Sequence, residues 1–356
     1  MNFSVHSNIR DYDVFIQSTP DFLHELAGQA QACFVVDENV WKLYSGSLLK
    51  DLPAAEVIVL PINEDRKNLE TVQELYDQLL TRSAKRNLTL ISMGGGITQD
   101  ITGFTASTLY RGIRWIYVPT TLLAQADSCI GSKTSLNYRG YKNLIGTFFP
   151  PAQIHIYPPF LNTQQDADFY SGVGEVIKLH LMGGETHVRE MIKNTPAIAS
   201  RDPRALLQII QSSLQVKLSY MADDEFDTGR RNLLNYGHDF GHALESTSNF
   251  AMPHGQAVIF GMLAANYVAR NRGLLNKTLA NEIANDLILP SLKILPVPDA
   301  VRSEAVIEAM KKDKKRTGDL LALIMMEDGF HFVRVNDLTP DETERALAEC
   351  RQILGL

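Results

Sequence analysis

Three segments far apart in the chain must meet in space before their chemistry can be used: Gly-Val-Gly-Glu-Val-Ile-Lys at 172–178, Asn-Tyr-Gly-His-Asp-Phe-Gly-His at 235–242 and Pro-His-Gly at 253–255. Together they read as one metal site. Glu175, His238 and His254 supply a carboxylate and two imidazoles, the donor set of a catalytic divalent ion such as zinc when its other positions stay open to water or substrate. A lone histidine is more often a surface or satisfied core residue than a ligand. Glycine beside each of the three candidates favours the metal.

A chain of 356 residues, 45% hydrophobic and 21% charged, can bury a substantial core, and its length suggests two domains. No apolar run approaches the ~20 residues that span a bilayer, and the N-terminus lacks a basic start followed by an apolar stretch. The expectation is a cytoplasmic protein with no membrane partner. Cys33, Cys129 and Cys350 are distant and odd in number, against a disulfide framework or a thiolate zinc site. The net charge of -7 disfavours nonspecific binding to nucleic acid, so an anionic ligand needs a local basic cluster.

From 1 to about 160, short runs rich in Val, Ile and Leu (32–36, 55–60, 88–92, 115–118) alternate with helical stretches. This predicts an α/β domain on a largely parallel sheet. From 161 to 356 helical periodicity takes over, as at 205–221 and 255–271. Residues 320–326 and 330–335 around Glu327-Asp328-Gly329 read as a hairpin, and Thr339-Pro340 as the start of a last helix.

Gly94, Gly95 and Gly96 follow the third of these strands and precede a helix expected around 100–108. Glycines there let backbone N–H groups approach a pyrophosphate, although a tight structural turn explains them as well. Gln99 stands where G-x-G-x-x-G has its third glycine. Asp37 and Asn39 lie beyond the first strand, where short polar side chains can bond a ribose. Glu64 and Lys67 flank the next strand, and Thr120 and Thr121 end the fourth.

Glu175 and Lys178 share a helical face, either as part of the site or as a plain surface ion pair. His238 and His242 also share one, but Asp239 replaces the glutamate base of H-E-x-x-H proteases. A basic constellation comprises Lys133, Lys142, Lys217, Arg231 and the run 311–316. Lys311 and Lys312 read as a solvated face, whereas Lys133 and Lys142, expected just after a strand, lie among small and apolar residues that make a charge costly without an anion.

These residues resemble the 3-dehydroquinate synthase and sugar-phosphate cyclase family from about 35 to 324. The resemblance rests on Asp37-Glu-Asn39, Glu64-x-x-Lys67, Gly94-Gly-Gly-x-x-x-Asp100, Tyr110-Arg-Gly112, Pro119-Thr-Thr-Leu-Leu-Ala-Gln-Ala-Asp127-Ser, Lys133-Thr, Lys142-Asn143, Glu175-Val-Ile-Lys178, Arg231-Asn-Leu-Leu-Asn235-x-Gly-His238-x-x-Gly-His242, His254-Gly and Asp313-Lys-Lys315. It implies an N-terminal Rossmann-like NAD-binding domain (1–160), an all-α metal- and substrate-binding domain (161–356), a zinc ion or another divalent metal such as cobalt, and usually a homodimer. In that family bound NAD⁺ oxidises a ring hydroxyl of a phosphorylated seven-carbon sugar acid. The ketone acidifies the neighbouring C–H so that phosphate can leave, NADH returns its hydride, and an internal aldol closure gives the carbocycle.

By the same resemblance Asp37, Asn39, Glu64, Lys67, Gly94, Gly95, Gly96, Asp100, Thr120, Thr121, Leu123 and Thr163 would bind NAD. Lys133, Asn143, Asn235, His242 and Lys314 would hold the phosphate, with Arg111 a candidate to reach in from a partner subunit, and Lys142 counts among the catalytic residues. Lys217 and Arg231 would hold the substrate carboxylate, and Asp127 and Lys178 would contact hydroxyls. The family commonly has glycine at Gln99 and Ser132, leucine at Arg230, and a small or hydroxylated residue at Asp239. The shikimate-pathway synthase is the first expectation, because Arg231 suits an acid substrate. A cyclase of sedoheptulose 7-phosphate or glucose 6-phosphate is the alternative, and an NAD- and metal-dependent polyol dehydrogenase a more remote one.

Overall fold

The computed structural model describes residues 2–82, 84–311 and 320–356. The chain divides into two compact units, 1–163 and 164–356.

In the first unit seven strands form one sheet: β1 (Asn2–Val5), β2 (Tyr12–Ile16), β3 (Ala32–Asp37), β4 (Val57–Leu60), β5 (Thr89–Gly94), β6 (Arg114–Pro119) and β9 (Gln153–Ile156), in the spatial order β1-β2-β9-β6-β5-β3-β4. All neighbours are parallel except β1 and β2. The central strands β3, β5 and β6 are buried almost throughout, as a parallel sheet covered on both faces must be. Helices α1 (Asp21–Ala27), α2 (Glu38–Tyr44), α3 (Leu69–Thr81) and α4 (Gly96–Thr108) accompany it. Asp37 caps α2 through the N–H groups of Asn39 and Val40, and Asn68 caps α3 through that of Thr71. A separate antiparallel hairpin, β7 (Lys133–Tyr138) and β8 (Tyr141–Phe148), packs beside α4.

The four strands read from the sequence are present, and α4 begins four residues earlier than the pattern suggested. The strands not foreseen, β1, β2, β7, β8 and β9, are short or half-exposed. Residues of β8 alternate between intermediate and exposed without any apolar run. Lys133 and Lys142 therefore lie within hairpin strands rather than just after one.

The second unit is helical: α5 (Asp166–Met182), α6 (Glu185–Ala199), α7 (Pro203–Met221), α8 (His238–Thr247) and α9 (His254–Asn271), then shorter helices and a last one, Pro340–Leu354. Every residue of α9 from Gly255 to Ala269 is buried, which makes it the central helix of this unit. The hairpin is present as β10 (Leu321–Glu327) and β11 (His331–Leu338). Thr339 and Glu342 form a reciprocal capping box on the last helix. Among the described residues no helix is long and apolar enough to cross a membrane.

Candidate metal centre and dinucleotide loop

Glycine decides how closely α5, α8 and α9 approach. A Cβ at Gly174 would lie 2.1 Å from the Gly255 carbonyl oxygen, and one at Gly255 would lie 1.8 Å from that of Ser171. A Cβ at Gly261 would lie 1.9 Å from the Gly237 carbonyl, and Gly237 itself has φ +79. The helices thus cross with backbone against backbone at the residues next to Glu175, His254 and His238.

The donor atoms of those three side chains lie within 4.8 Å of one another. Glu175 Oε1 is 3.0 Å from His254 Nε2 and 3.4 Å from His238 Nε2. Each imidazole is held from behind: His254 Nδ1 is 3.2 Å from Glu245 Oε2, and His238 Nδ1 is 3.2 Å from the Tyr236 carbonyl. Donation from Nδ1–H to these acceptors turns each Nε2 toward the carboxylate, so a cation that displaces the Nε2 proton meets the arrangement a metal-binding histidine needs. Glu245 is buried and was not foreseen. Its signal in the sequence was its place three residues after His242, on the helix that bears His238.

Burial would lower the His254 pKa, but hydrogen bonds to Glu175 and Glu245 outweigh it and push the group up to about 10. Burial would raise that of Glu175, but the Lys178 ammonium and His238 hold it well below the usual carboxylate range. Burial, aided by the Lys178 and His254 charges, lowers that of His238 against the pull of Glu175. An imidazole that keeps its proton between two carboxylates marks a place that favours positive charge, so the donor set fits a divalent cation. Lys178 Nζ lies 2.5 Å from Glu175 Oε2 with both side chains under 5% exposed, so the surface-pair reading is excluded.

Lys217 on α7 and Arg231 are buried, while His242 is exposed with its ring 5.2 Å from that of His238. Arg231 donates from Nη1 to the Glu225 carbonyl. Its backbone N–H, with those of Thr228 and Gly229, donates to the Asp224 carboxylate at 2.8–2.9 Å. Burial would raise the Asp224 pKa, but these donors hold it down to about 2. Asp224 was also missed. Asn235 donates to the Asn232 carbonyl. Lys314, with Asp313 and Lys315, lies outside the described residues. Two departures have local partners: Asp239 accepts from the Ile324 N–H at 3.1 Å, and Arg230 lies over the Tyr220 ring at 4.5 Å.

In the first unit the glycine loop joins β5 to α4. A Cβ at Gly94 would lie 2.3 Å from Thr98 Oγ1, and one at Gly95 3.1 Å from Thr121 Cγ2. The helix begins with no side-chain cap, so the loop is a cradle of backbone N–H groups fit for a phosphate group. Thr120 N–H donates to the Gly94 carbonyl, and Asp37 Cβ would be 3.1 Å from a Gly94 Cβ. Asn39 sits in the first turn of α2, and Thr163 bonds Tyr44. Leu123 precedes a π-turn, Ala124–Ser128, that carries Asp127.

Residues expected to serve different ligands share one cluster. Lys67 Nζ lies 2.5 Å from Asp100 Oδ2 and 2.6 Å from Asn143 Oδ1, which also accepts from Ser135 Oγ. Burial raises the Asp100 pKa, with Lys67 and Ser135 acting against it. Glu64 is bonded by Asn137, which in turn accepts from the Asn143 N–H, and Lys142 lies 4.0 Å from Glu64. Ser132, at φ 64 beside Gly131 at φ 112, holds a backbone shape glycine adopts more readily. Arg111, at φ 64, follows α4 at the end opposite the glycine loop and joins none of these contacts among the described residues.

Family models for the 3-dehydroquinate synthase N-terminal and C-terminal domains match residues 57–171 and 172–316. A 3-dehydroquinate synthase of Dehalococcoides mccartyi is 33% identical, with 89% of this chain and 90% of that protein covered. The Clostridium tetani enzyme of that name is 37% identical over 75% and 74%. Among solved structures, 2-epi-5-epi-valiolone synthase from Streptomyces hygroscopicus with NAD⁺ and Zn²⁺ bound is 26% identical, with a TM-score of 0.85 over 99% of both chains. A probable glycerol dehydrogenase from Sinorhizobium meliloti shares the fold at 13% identity and a TM-score of 0.64 over 96% of both. With its Glu-His-His centre, its glycine cradle and these matches over most of its length, the chain belongs to the 3-dehydroquinate synthase family.

Proposed function

We propose that this chain is a 3-dehydroquinate synthase, a carbon–oxygen lyase converting 3-deoxy-arabino-heptulosonate 7-phosphate to 3-dehydroquinate and phosphate. The observation that carries the reading is the meeting of Glu175, His238 and His254 with both imidazoles locked at Nδ1. Together with family membership, it supports a bound divalent metal and NAD. When bound, the metal polarises the reacting hydroxyl and NAD carries the hydride out and back within one turnover.

The protein's own contribution is placement and charge. Backbone N–H groups of Gly94, Gly95 and Gly96 would receive the pyrophosphate, with Asp37 and Asn39 at the ribose and Thr120 and Thr121 beside them. Lys178 would place a cation against the ring hydroxyls while balancing Glu175. Arg231, set by Asp224, would pair with the substrate carboxylate, with Lys217 adding charge. Lys133, Asn143, Asn235, His242 and Lys314 would hold the phosphate, and Asn143 would use its Nδ2–H, since its Oδ1 already accepts from Lys67 and Ser135. Zinc as the resident metal, a homodimer in which Arg111 serves its neighbour, and a cytoplasmic setting complete the proposal.

Phosphate release from 3-deoxy-arabino-heptulosonate 7-phosphate, measured beside sedoheptulose 7-phosphate and glucose 6-phosphate, tests it. The sugar acid should be preferred by roughly 100-fold in kcat/KM, the loss expected when a charged partner is left unpaired, with no net NADH. A preference for sedoheptulose 7-phosphate would move the chain to a related cyclase. NADH accumulating in step with product would make it a dehydrogenase.

A further inference from the structure

Gln99 stands where the family commonly has glycine, and the residue is 4% exposed. It lies in the first turn of α4, its N–H donating to the Gly95 carbonyl at the phosphate loop. Its amide makes two bonds to a single residue: Nε2 donates to the Ser128 carbonyl at 2.8 Å, and Oε1 accepts from Ser128 Oγ at 2.8 Å. Glycine at 99 could make neither.

Ser128 ends the π-turn Ala124–Ser128, directly after Asp127. One extra residue per turn re-aims the side chains of such a segment relative to an α-helix, and it persists only where its surroundings hold it. Here both ends are held. At the start, Gln125 Nε2 donates to the carbonyls of Pro119, the last residue of β6, and Tyr157, just past β9, each at 3.1 Å. The Cys129 N–H closes the turn on the Ala124 carbonyl at 3.1 Å. At the far end Gln99 ties the turn to α4.

We propose that Gln99 is a positioning residue: with Ser128 it forms a two-bond clasp that fixes the π-turn, and so Asp127, to the phosphate-binding turn of α4. The cost in turnover rests on the reading of Asp127 as a substrate contact; the clasp itself does not. The methionine in Q99M matches the volume and unbranched shape of glutamine and favours a helix, but it makes neither bond.

In full-length protein loaded with NAD⁺ and Zn²⁺, amide hydrogen exchange at 125–129 should rise at least about 10-fold in Q99M while the rest of α4 keeps its protection. Turnover should fall roughly 10- to 100-fold, the penalty for a misplaced catalytic contact, with the NAD⁺ Kd held within about 3-fold, since the Gly94–Gly96 cradle is untouched. S128A, which loses one bond and no core volume, should show a smaller rise in exchange and add nothing to Q99M. In a D127N background Q99M should cost almost nothing further, because both changes act on one contact.

Unchanged exchange at 125–129 in Q99M would overturn the clasp. Costs that multiply in Q99M/D127N would show that Gln99 acts other than through Asp127. D127N turning over like wild type would remove the Asp127 assignment while leaving the exchange result to stand or fall by itself. If D127N has no measurable turnover, or Q99M does not fold, exchange in Q99M or S128A decides.

Discussion

The two units build their sites from opposite materials. In the second, three side chains on three helices converge because glycines let the helices touch, and each donor is a residue whose chemistry is recognisable by type. In the first, the cradle is backbone: N–H groups after β5, a π-turn, and left-handed residues at Ser132 and Asn143. A site made of side chains is exposed to loss of charge and ligand. A site made of backbone depends on whatever holds the backbone in place.

The largest effect is expected at Glu175. Glu175→Gln removes a metal donor and leaves the Lys178 ammonium buried without its carboxylate 2.5 Å away. Metal-free protein should lose about 3–5 kcal/mol, the usual result of breaking a buried pair. Metal affinity should fall by more than the roughly 10- to 100-fold that loss of a supporting residue costs. Denaturant melts with and without metal, plus metal analysis, check both. Stoichiometric metal in the variant would remove Glu175 from the donor set.

Gly255→Ala comes next and asks whether the helix crossing or the ligands alone make the centre. Its Cβ would sit 1.8 Å from the Ser171 carbonyl, and neither helix backbone can yield cheaply. A loss of roughly 1–3 kcal/mol or more is expected, with weakened metal binding although every ligand remains. Unaltered metal affinity would show that the ligands find each other without the glycine contact.

That crossing explains how much of the centre was legible. Glu175, His238 and His254 could be read because metal chemistry admits few residue types, and a glycine beside each hinted at close helices. Glu245 and Asp224 could not. Helical spacing puts Glu245 near His242 but does not say that it backs His254, and nothing in the residue types around Asp224 says that three backbone N–H groups gather on it. In the first unit the central strands were legible as apolar runs. The hairpin β7–β8 was not, since half-exposed strands carry no such run, and Lys133 and Lys142 were misplaced with it. Whether Gln99 filled a role or merely a space depended on Ser128, whose side chain gives no sign in the sequence that it faces α4.

Acid sharpens the comparison by touching both units at once. Burial lowers the pKa of His155, stacked between Phe15 and Phe22 in the first unit, to about 4, and that of His180 in the second also to about 4. Both folded values lie below the ordinary histidine value of 6.5, so between the two the unfolded chain binds more protons. The stability is therefore fully present above pH ~6.5 and is lost as pH falls toward ~4, on the order of 2 kcal/mol per site by pH ~5. His155→Gln and His180→Gln should each flatten the pH dependence of the unfolding midpoint. A variant with the wild-type slope would show that its histidine is protonated in the folded state.

The smallest effect is expected at Gly96, and it separates the two uses of glycine. A Cβ there would meet only Ser128 Oγ, at 3.6 Å, an ordinary contact. Gly96 opens α4 in helical conformation, and alanine restricts the unfolded chain more than glycine does. Gly96→Ala should thus change stability by less than about 1 kcal/mol, and in the stabilising direction. A ligand's requirement is different: if the pyrophosphate lies against this backbone, the added methyl stands in its way, and the NAD⁺ Kd should rise while the melting temperature of the cofactor-free protein holds or increases. Loss of stability without loss of NAD⁺ affinity would reverse the assignment, making Gly96 a packing glycine like Gly255 and removing the contrast between the two units at this position.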